Sequence, residues 1–284
     1  MDDAARDQAG FAEMFGAGAG PDPRWARTLA GVGRLASEAE GLRLTLDDAT
    51  ADRYSNAQID DYSGRRARRF LWRPPLRLAI RARASHAAAS ANARPRAAEG
   101  CLRGTAGFGF WNAPLTLAKG GLRLPDAVWF FAASPPSNMA LVPGGMGYGW
   151  KAQVVHSQRW SALAAAPPLA LTALWARISG DERPAARWLA RLTGASEQPL
   201  DPAHADLRVW HDYTLEWRPD VARFAVDGRE VFAAPRPPAG PLGFVAWIDN
   251  QYAIATPRGE LRFGALDCPP QWMELASVRI EPLA

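Results

Sequence analysis

Two short stretches hold the polar groups best suited to chemistry. The first is "RYSNAQIDDYSG" (53–64), where strand alternation puts Asn56, Gln58 and Asp60 on one face and Asp61 on the other, flanked by Tyr54 and Tyr62. A carboxylate among aromatic rings loses hydration; this raises its pKa and fits it to work as a general acid near neutral pH. The competing reading is structural, with the Asp pair capping a turn or bridging to Arg65 and Arg66. The second stretch is "WIDNQYA" (247–253). There Asp249 and Gln251, next to Trp247, are too polar for an apolar strand unless they meet water, a ligand or partners. Asp60, Asp61 and Asp249 are the candidate catalytic acids.

Aromatic residues extend this set. Trp111 with Asn112, and Trp129 beyond them, are expected to form an aromatic floor. In "GGMGYGWKAQVVH" (144–156), Tyr148, Trp150, Lys151 and His156 are placed to line a cleft. The run is no phosphate loop, because the G-K-[ST] ending is absent and a strand follows. The candidate ligand contacts are therefore Tyr54, Asn56, Gln58, Trp111, Asn112, Trp129, Tyr148, Trp150, His156, Trp247 and Gln251. His156 has no Cys or second His at ligand spacing, so neither a metal nor another cofactor is expected. No G-x-S-x-G elbow or Cys/His pair marks a nucleophile.

The net charge of +4 comes almost entirely from Arg, with Lys only at 119 and 151. The densest basic run, "GRRARRFLWR" (64–73), reads as a solvated loop, and nucleic acid is not an expected partner. Cys101 and Cys268 read as ordinary thiols. "MDDAARDQAGFAEMF" lacks the basic start and apolar segment of a signal peptide. The apolar run "LAAAPPLALTALWA" is broken by Pro167–Pro168 and is too short to span a bilayer. A cytoplasmic location is the expectation.

These residues must be positioned by β-structure. "LRLTL" (42–46) alternates. In "LRLAIRARA" (76–84), Leu76, Leu78, Ile80, Ala82 and Ala84 share one face, with Arg77, Arg81 and Arg83 on the other. "AVWFFAA" (127–133) is apolar on both faces, and Asp227–Gly228 is the strongest hairpin signal in the chain. Many short strands, with 24 Pro and 25 Gly to turn them, indicate an all-β sandwich or jelly roll. Within 169–193, Leu171, Leu174, Trp175 and Ile178, then Ala185, Trp188, Leu189 and Leu192, repeat at helical spacing, and Gly194 is placed to end the second helix. This helical hairpin is expected to pack on the sandwich, with a lid or a peripheral membrane contact through 169–193 as the functional readings. The organisation expected is a flexible segment over 1–23, with a short helix, then one jelly-roll domain over 24–284 holding a helical insertion at 157–204.

In strand order the chain resembles the concanavalin A-like lectin/glucanase superfamily, and within it the family-16 glycoside hydrolases (laminarinases, lichenases). The resemblance is carried by "WHDYTLEWRPDVARFAVDGREVF" (210–232), with weaker support from "RPPLRLAIRARAS" and "GTAGFGFWN". It implies a two-sheet jelly roll with a concave face for an elongated ligand. It also implies a catalytic strand carrying E-x-D-x-E, but residues 127–139 contain no carboxylate, and Asp126 has no acidic partner at i+2 or i+4. The expectation is a protein of this type that binds an elongated ligand, a carbohydrate, on a Trp-lined concave face without the hydrolytic triad. Two alternatives stay open: an enzyme performing acid/base isomerisation, cyclisation or hydration of a hydrophobic small molecule, and a non-catalytic partner-binding protein.

Overall fold

The computed structural model describes residues 10–17, 20–63, 70–89, 100–113, 125–139, 141–145, 147–157, 170–256 and 260–284. Arg65 and Arg66 lie outside them. In chain order the elements are β1 (Phe11–Met14), β2 (Ala26–Ala30), β3 (Gly33–Ser37), β4 (Leu42–Leu46), β5 (Asn56–Asp60), β6 (Leu76–Ala84), β7 (Thr105–Trp111), β8 (Asp126–Ala133) and β9 (Gly149–His156). Helices α1 (170–179) and α2 (Arg183–Thr193) follow. The chain then forms β10 (Ser196–Pro199), β11 (His211–Trp217), β12 (Val221–Val226), β13 (Arg229–Pro235), β14 (Gly243–Asp249), β15 (Gln251–Ala255), β16 (Leu261–Ala265) and β17 (Gln271–Pro282).

Two antiparallel sheets face each other. The first runs β13-β12-β11-β6-β17-β4-β3, with β1 also paired to β17; the second runs β10-β9-β8-β7-β14-β5-β2. β15 and β16 form a separate ribbon. In β6 the alternation works as expected: Leu76, Leu78, Ile80, Ala82 and Ala84 are buried and Arg77 and Arg81 are exposed. The hairpin between β12 and β13 turns on Asp227 and Gly228, both at positive φ (49° and 79°), the backbone that a two-residue turn requires. Between the sheets lies an aromatic core, in which Phe108 meets Phe130, Trp150 and Tyr213 at ring separations of 5.6, 5.7 and 5.1 Å. β8, β9 and β14 are buried on both faces, so the outer surface of the second sheet is covered as well as its inner one.

Three expectations about organisation change. Within 1–23, Phe11–Met14 forms a strand against β17, held because Phe11 and Phe15 are buried and Glu13 accepts hydrogen bonds from Asp22 N–H and the Trp25 indole. The span 157–204 also holds β10, an edge strand paired with β9. The hairpin packs with only one of its stripes inward. Ala185 and Leu189 of α2 are buried, but Leu171, Leu174, Trp175 and Ile178 of α1 face outward, and α1 buries Ala173 and Ala176 instead. α2 ends at Gly194, as its sequence signal implies.

Candidate functional site

The outer face of the second sheet is built by register. Across β5, β14, β7, β8 and β9, Gln58, Trp247, Gly107, Phe131 and Lys151 lie in one row; Asp60, Val245, Gly109, Trp129 and Gln153 lie in the next. Gly107 makes the first row flat: a Cβ there would stand 2.3 Å from the Phe130 carbonyl oxygen and 2.9 Å from the Trp247 ring. The rings spread over this space. Trp129 lies 5.4 Å from Phe131, 5.2 Å from Trp247 and 5.9 Å from Trp111, centroid to centroid. The loop after β8 and the β15–β16 ribbon raise a wall beside them, joined by Asn138 N–H donating to the Ala253 carbonyl and Ala255 N–H to the Asn138 carbonyl, both at 2.9 Å. The result is a cleft of about 210 Å³ whose aromatic floor is rimmed by Met139, Phe263, Tyr54, Gln58 and Gln251.

All three indole N–H groups of the floor are spent inside the protein. Trp247 donates to Thr105 Oγ1 at 2.9 Å, Trp129 to Gln153 Oε1 at 2.9 Å, and Trp111 to the Tyr62 hydroxyl. Beside Trp129 the contacts continue along the same face to the edge strand β10. Gln153 Nε2 donates to Glu197 Oε2 at 2.7 Å, and Lys151 Nζ to the same oxygen at 2.8 Å, in an ion pair buried on both sides.

Asp249 is the one carboxylate lining the cleft among the described residues. It ends β14 opposite Thr105 and accepts from Thr105 Oγ1 at 2.7 Å, Thr105 N–H at 3.3 Å, Gln251 N–H at 3.0 Å and the Tyr54 hydroxyl at 3.4 Å. Burial outweighs these donors and pushes its pKa up to about 6. Partial burial, and after it the Asp249 carboxylate, push the Tyr54 hydroxyl up as well, which keeps that phenol a donor.

The structure gathers Tyr54, Gln58, Trp111, Trp129, Trp247, Asp249 and Gln251 around one cleft. It places the other candidates elsewhere. Asp60 is fully buried and caps the turn after β5, accepting from Ser63 N–H at 2.6 Å, Gln58 Nε2 at 2.8 Å and Tyr62 N–H at 3.1 Å. Asp61 points the other way, where it takes the Trp72 indole N–H and the Phe244 N–H at 2.9 Å. Their setting is the structural one. Asn56 shares the outer face, but its amide donates to the Thr28 carbonyl at 2.9 Å. Asn112 is buried at the end of β7, where it accepts from Asp126 N–H at 3.2 Å. His156 pairs through Nδ1 with Asp126 at 2.9 Å, away from the cleft. Tyr148 lines a separate hollow with Arg103 and Arg262. Trp150 is corrected outright: β9 begins at Gly149, so alternation turns Trp150 into the core and Lys151 and Gln153 outward. Thr105, Phe131 and Val245 also line the cleft; nothing in the sequence marks Thr105, and the phase of Trp129 and Trp247 along their own strands implies the other two.

No family model matches the chain, and no curated protein sequence matches it. Solved structures do. The laminarinase catalytic domain from Thermotoga maritima superposes with a TM-score of 0.51 at 9% identity, over 96% of this chain and 98% of that one. A native glycosidic hydrolase gives 0.51 at 14% identity, over 98% and 97%. The GlcNAcα1-4Gal releasing endo-β-galactosidase from Clostridium perfringens gives 0.51 at 12% identity, over 95% of this chain and 61% of that one. With two facing antiparallel sheets, the chain has an all-β jelly-roll sandwich fold, the fold that it shares with these structures.

Proposed function

We propose that the outer-face cleft binds a small molecule by stacking it on Trp111, Trp129 and Trp247, and that Asp249 exchanges a proton with it in an isomerisation, cyclisation or hydration. The observation that carries this reading is the pairing of a hydrocarbon floor with a single acid. With its indole N–H groups already satisfied, the floor offers ring faces and little hydrogen bonding, which suits an apolar ligand better than a hydroxyl-rich one. A carboxyl titrating near pH 6 is present in both acid and base forms around neutrality, and aromatic faces stabilise a cation developing beside it. Two-carboxylate glycoside hydrolysis is the poorer fit, because the outward positions of β8 are Ala127, Trp129, Phe131 and Ala133.

A second reading is carbohydrate binding on the same face. It is supported by the likeness to glycosidase structures, by ring stacking and by Gln58 and Gln251 at the rim.

A thermal-shift panel separates the two, with β-glucan and galactan oligosaccharides beside terpenoid, polyketide and fatty-acyl compounds. At a hundredfold excess over Kd, a ligand should raise the melting point by about 5 °C. A shift from apolar compounds alone, lost in Trp129→Ala, supports the first reading; turnover of the binding compound should then be lost in Asp249→Asn with binding kept. A shift from oligosaccharides alone overturns it in favour of the second.

A further inference from the structure

Helix α1 wears its apolar stripe on the outside. Leu171, Leu174, Trp175 and Ile178 are 71, 57, 57 and 76% exposed, although they repeat at the spacing of a buried helix face. Ten residues make a helix of about 15 Å, long enough to lie along a surface. Among the described residues no helix is long and apolar enough to cross a membrane. The charge around the stripe is mainly positive: Arg177, Arg183, Arg187 and Arg191 are exposed on the two helices, against Asp181 and Glu182 in the connection. Asp181 is engaged by Arg183 at 2.9 Å.

From this juxtaposition we infer that the 170–193 hairpin docks the protein on an anionic lipid surface. α1 lies in the plane of the interface, Leu171, Leu174, Trp175 and Ile178 enter the headgroup–acyl boundary, and Arg187 and Arg191 meet lipid phosphate. A second copy of the chain fits the patch less well. The four side chains expose a few hundred square ångströms, below the roughly 800 Å² that each partner of a stable complex buries. A two-fold contact would also set the Arg fringe of one copy against that of the other. Docking brings the bilayer beside the cleft wall, since α2 borders the 142–145 loop and Met139 of the same segment lines the cleft. The inference stands on the hairpin alone and does not need the apolar-ligand reading.

The test is flotation with vesicles of phosphatidylcholine, and of phosphatidylcholine with one quarter phosphatidylglycerol. The full chain should float with the anionic vesicles, about tenfold more weakly with the neutral ones, and less as salt rises. Leu174→Ser with Ile178→Ser should abolish flotation. Arg187→Glu with Arg191→Glu should weaken it by about fivefold for each elementary charge removed. Both pairs change exposed side chains, so thermal unfolding and ligand shifts should stay as in the parent. The inference is overturned if the chain floats with neither vesicle, or if the serine variant floats as well as the parent. It is equally overturned by light scattering that shows a dimer which the serine variant dissolves, since that result assigns the stripe to a second copy.

Discussion

Asp249 carries a stability penalty that can be read as a function of pH. Its carboxyl titrates near pH 6 in the folded chain, against an ordinary value of 3.8, because burial strips water from the charged form. The folded state therefore holds this proton more tightly than the unfolded state does. Well below pH 3.8 both states are protonated and the group contributes nothing to the balance. Between 3.8 and 6 the unfolded chain has released the proton and the folded chain has kept it, so stability falls as pH rises. Above pH 6 the loss is complete and constant. Two pKa units correspond to about 3 kcal/mol. Asp249→Asn removes the charge and keeps an acceptor for the Thr105 hydroxyl and the Gln251 N–H. At about pH 8 the variant should be more stable than the parent by about 1–3 kcal/mol, the lower figure allowing for charge-assisted hydrogen bonds replaced by neutral ones. At about pH 4 the gain should shrink by most of that amount. Urea unfolding followed by Trp fluorescence, run on both proteins across this pH range, measures the difference while the other carboxylates cancel. A variant that is less stable by the same amount at every pH would refute the reasoning and make Asp249 a structural acceptor. A gain that does not change with pH would show that burial is not the cause of the shift.

Other outcomes follow from the same geometry. Glu197→Gln removes the ion partner of the buried Lys151, so urea denaturation should show a loss of roughly 3–5 kcal/mol, with much of it recovered when Lys151→Met is added. Gly107→Ala pushes a methyl group into the Trp247 ring and the Phe130 carbonyl; it should cost about 1–3 kcal/mol and abolish the ligand-induced melting shift, and unchanged binding would contradict the flat-floor account. Asp61→Ala leaves the Trp72 indole and the Phe244 N–H without their acceptor, so it should lower stability by at least about 1–3 kcal/mol while the surviving folded protein binds ligand normally. A stable Asp61→Ala protein that has lost turnover would return Asp61 to the candidate acids.

Much of the scaffold can be read along the chain because its cause is local. Leu76 to Ala84 alternate, so a strand with one buried face is the only arrangement that hides the apolar set, and Asp227–Gly228 supplies the positive φ that its hairpin needs. Trp129 and Trp247 reach the cleft from strands whose apolar runs already require cover on both faces. That same two-sided burial erases phase, which is why the sequence alone puts Trp150 in the cleft: in "GWKAQVVH" either register hides apolar residues, and pairing with β8 and β10 selects the one with Lys151 outward. Asp60 and Asp61 are adjacent and alike in the sequence, and contacts from afar separate them from the site, since the Phe244 N–H that satisfies Asp61 lies 183 residues away. Asp249 differs from them because its neighbours on β7 and the Tyr54 loop leave it at a cleft wall. The α1 stripe shows the limit most clearly. Helical periodicity places Leu171, Leu174, Trp175 and Ile178 on one side, but whether that side meets protein or solvent depends on how the hairpin is seated, and here the seat is taken by Ala173, Ala176, Ala185 and Leu189.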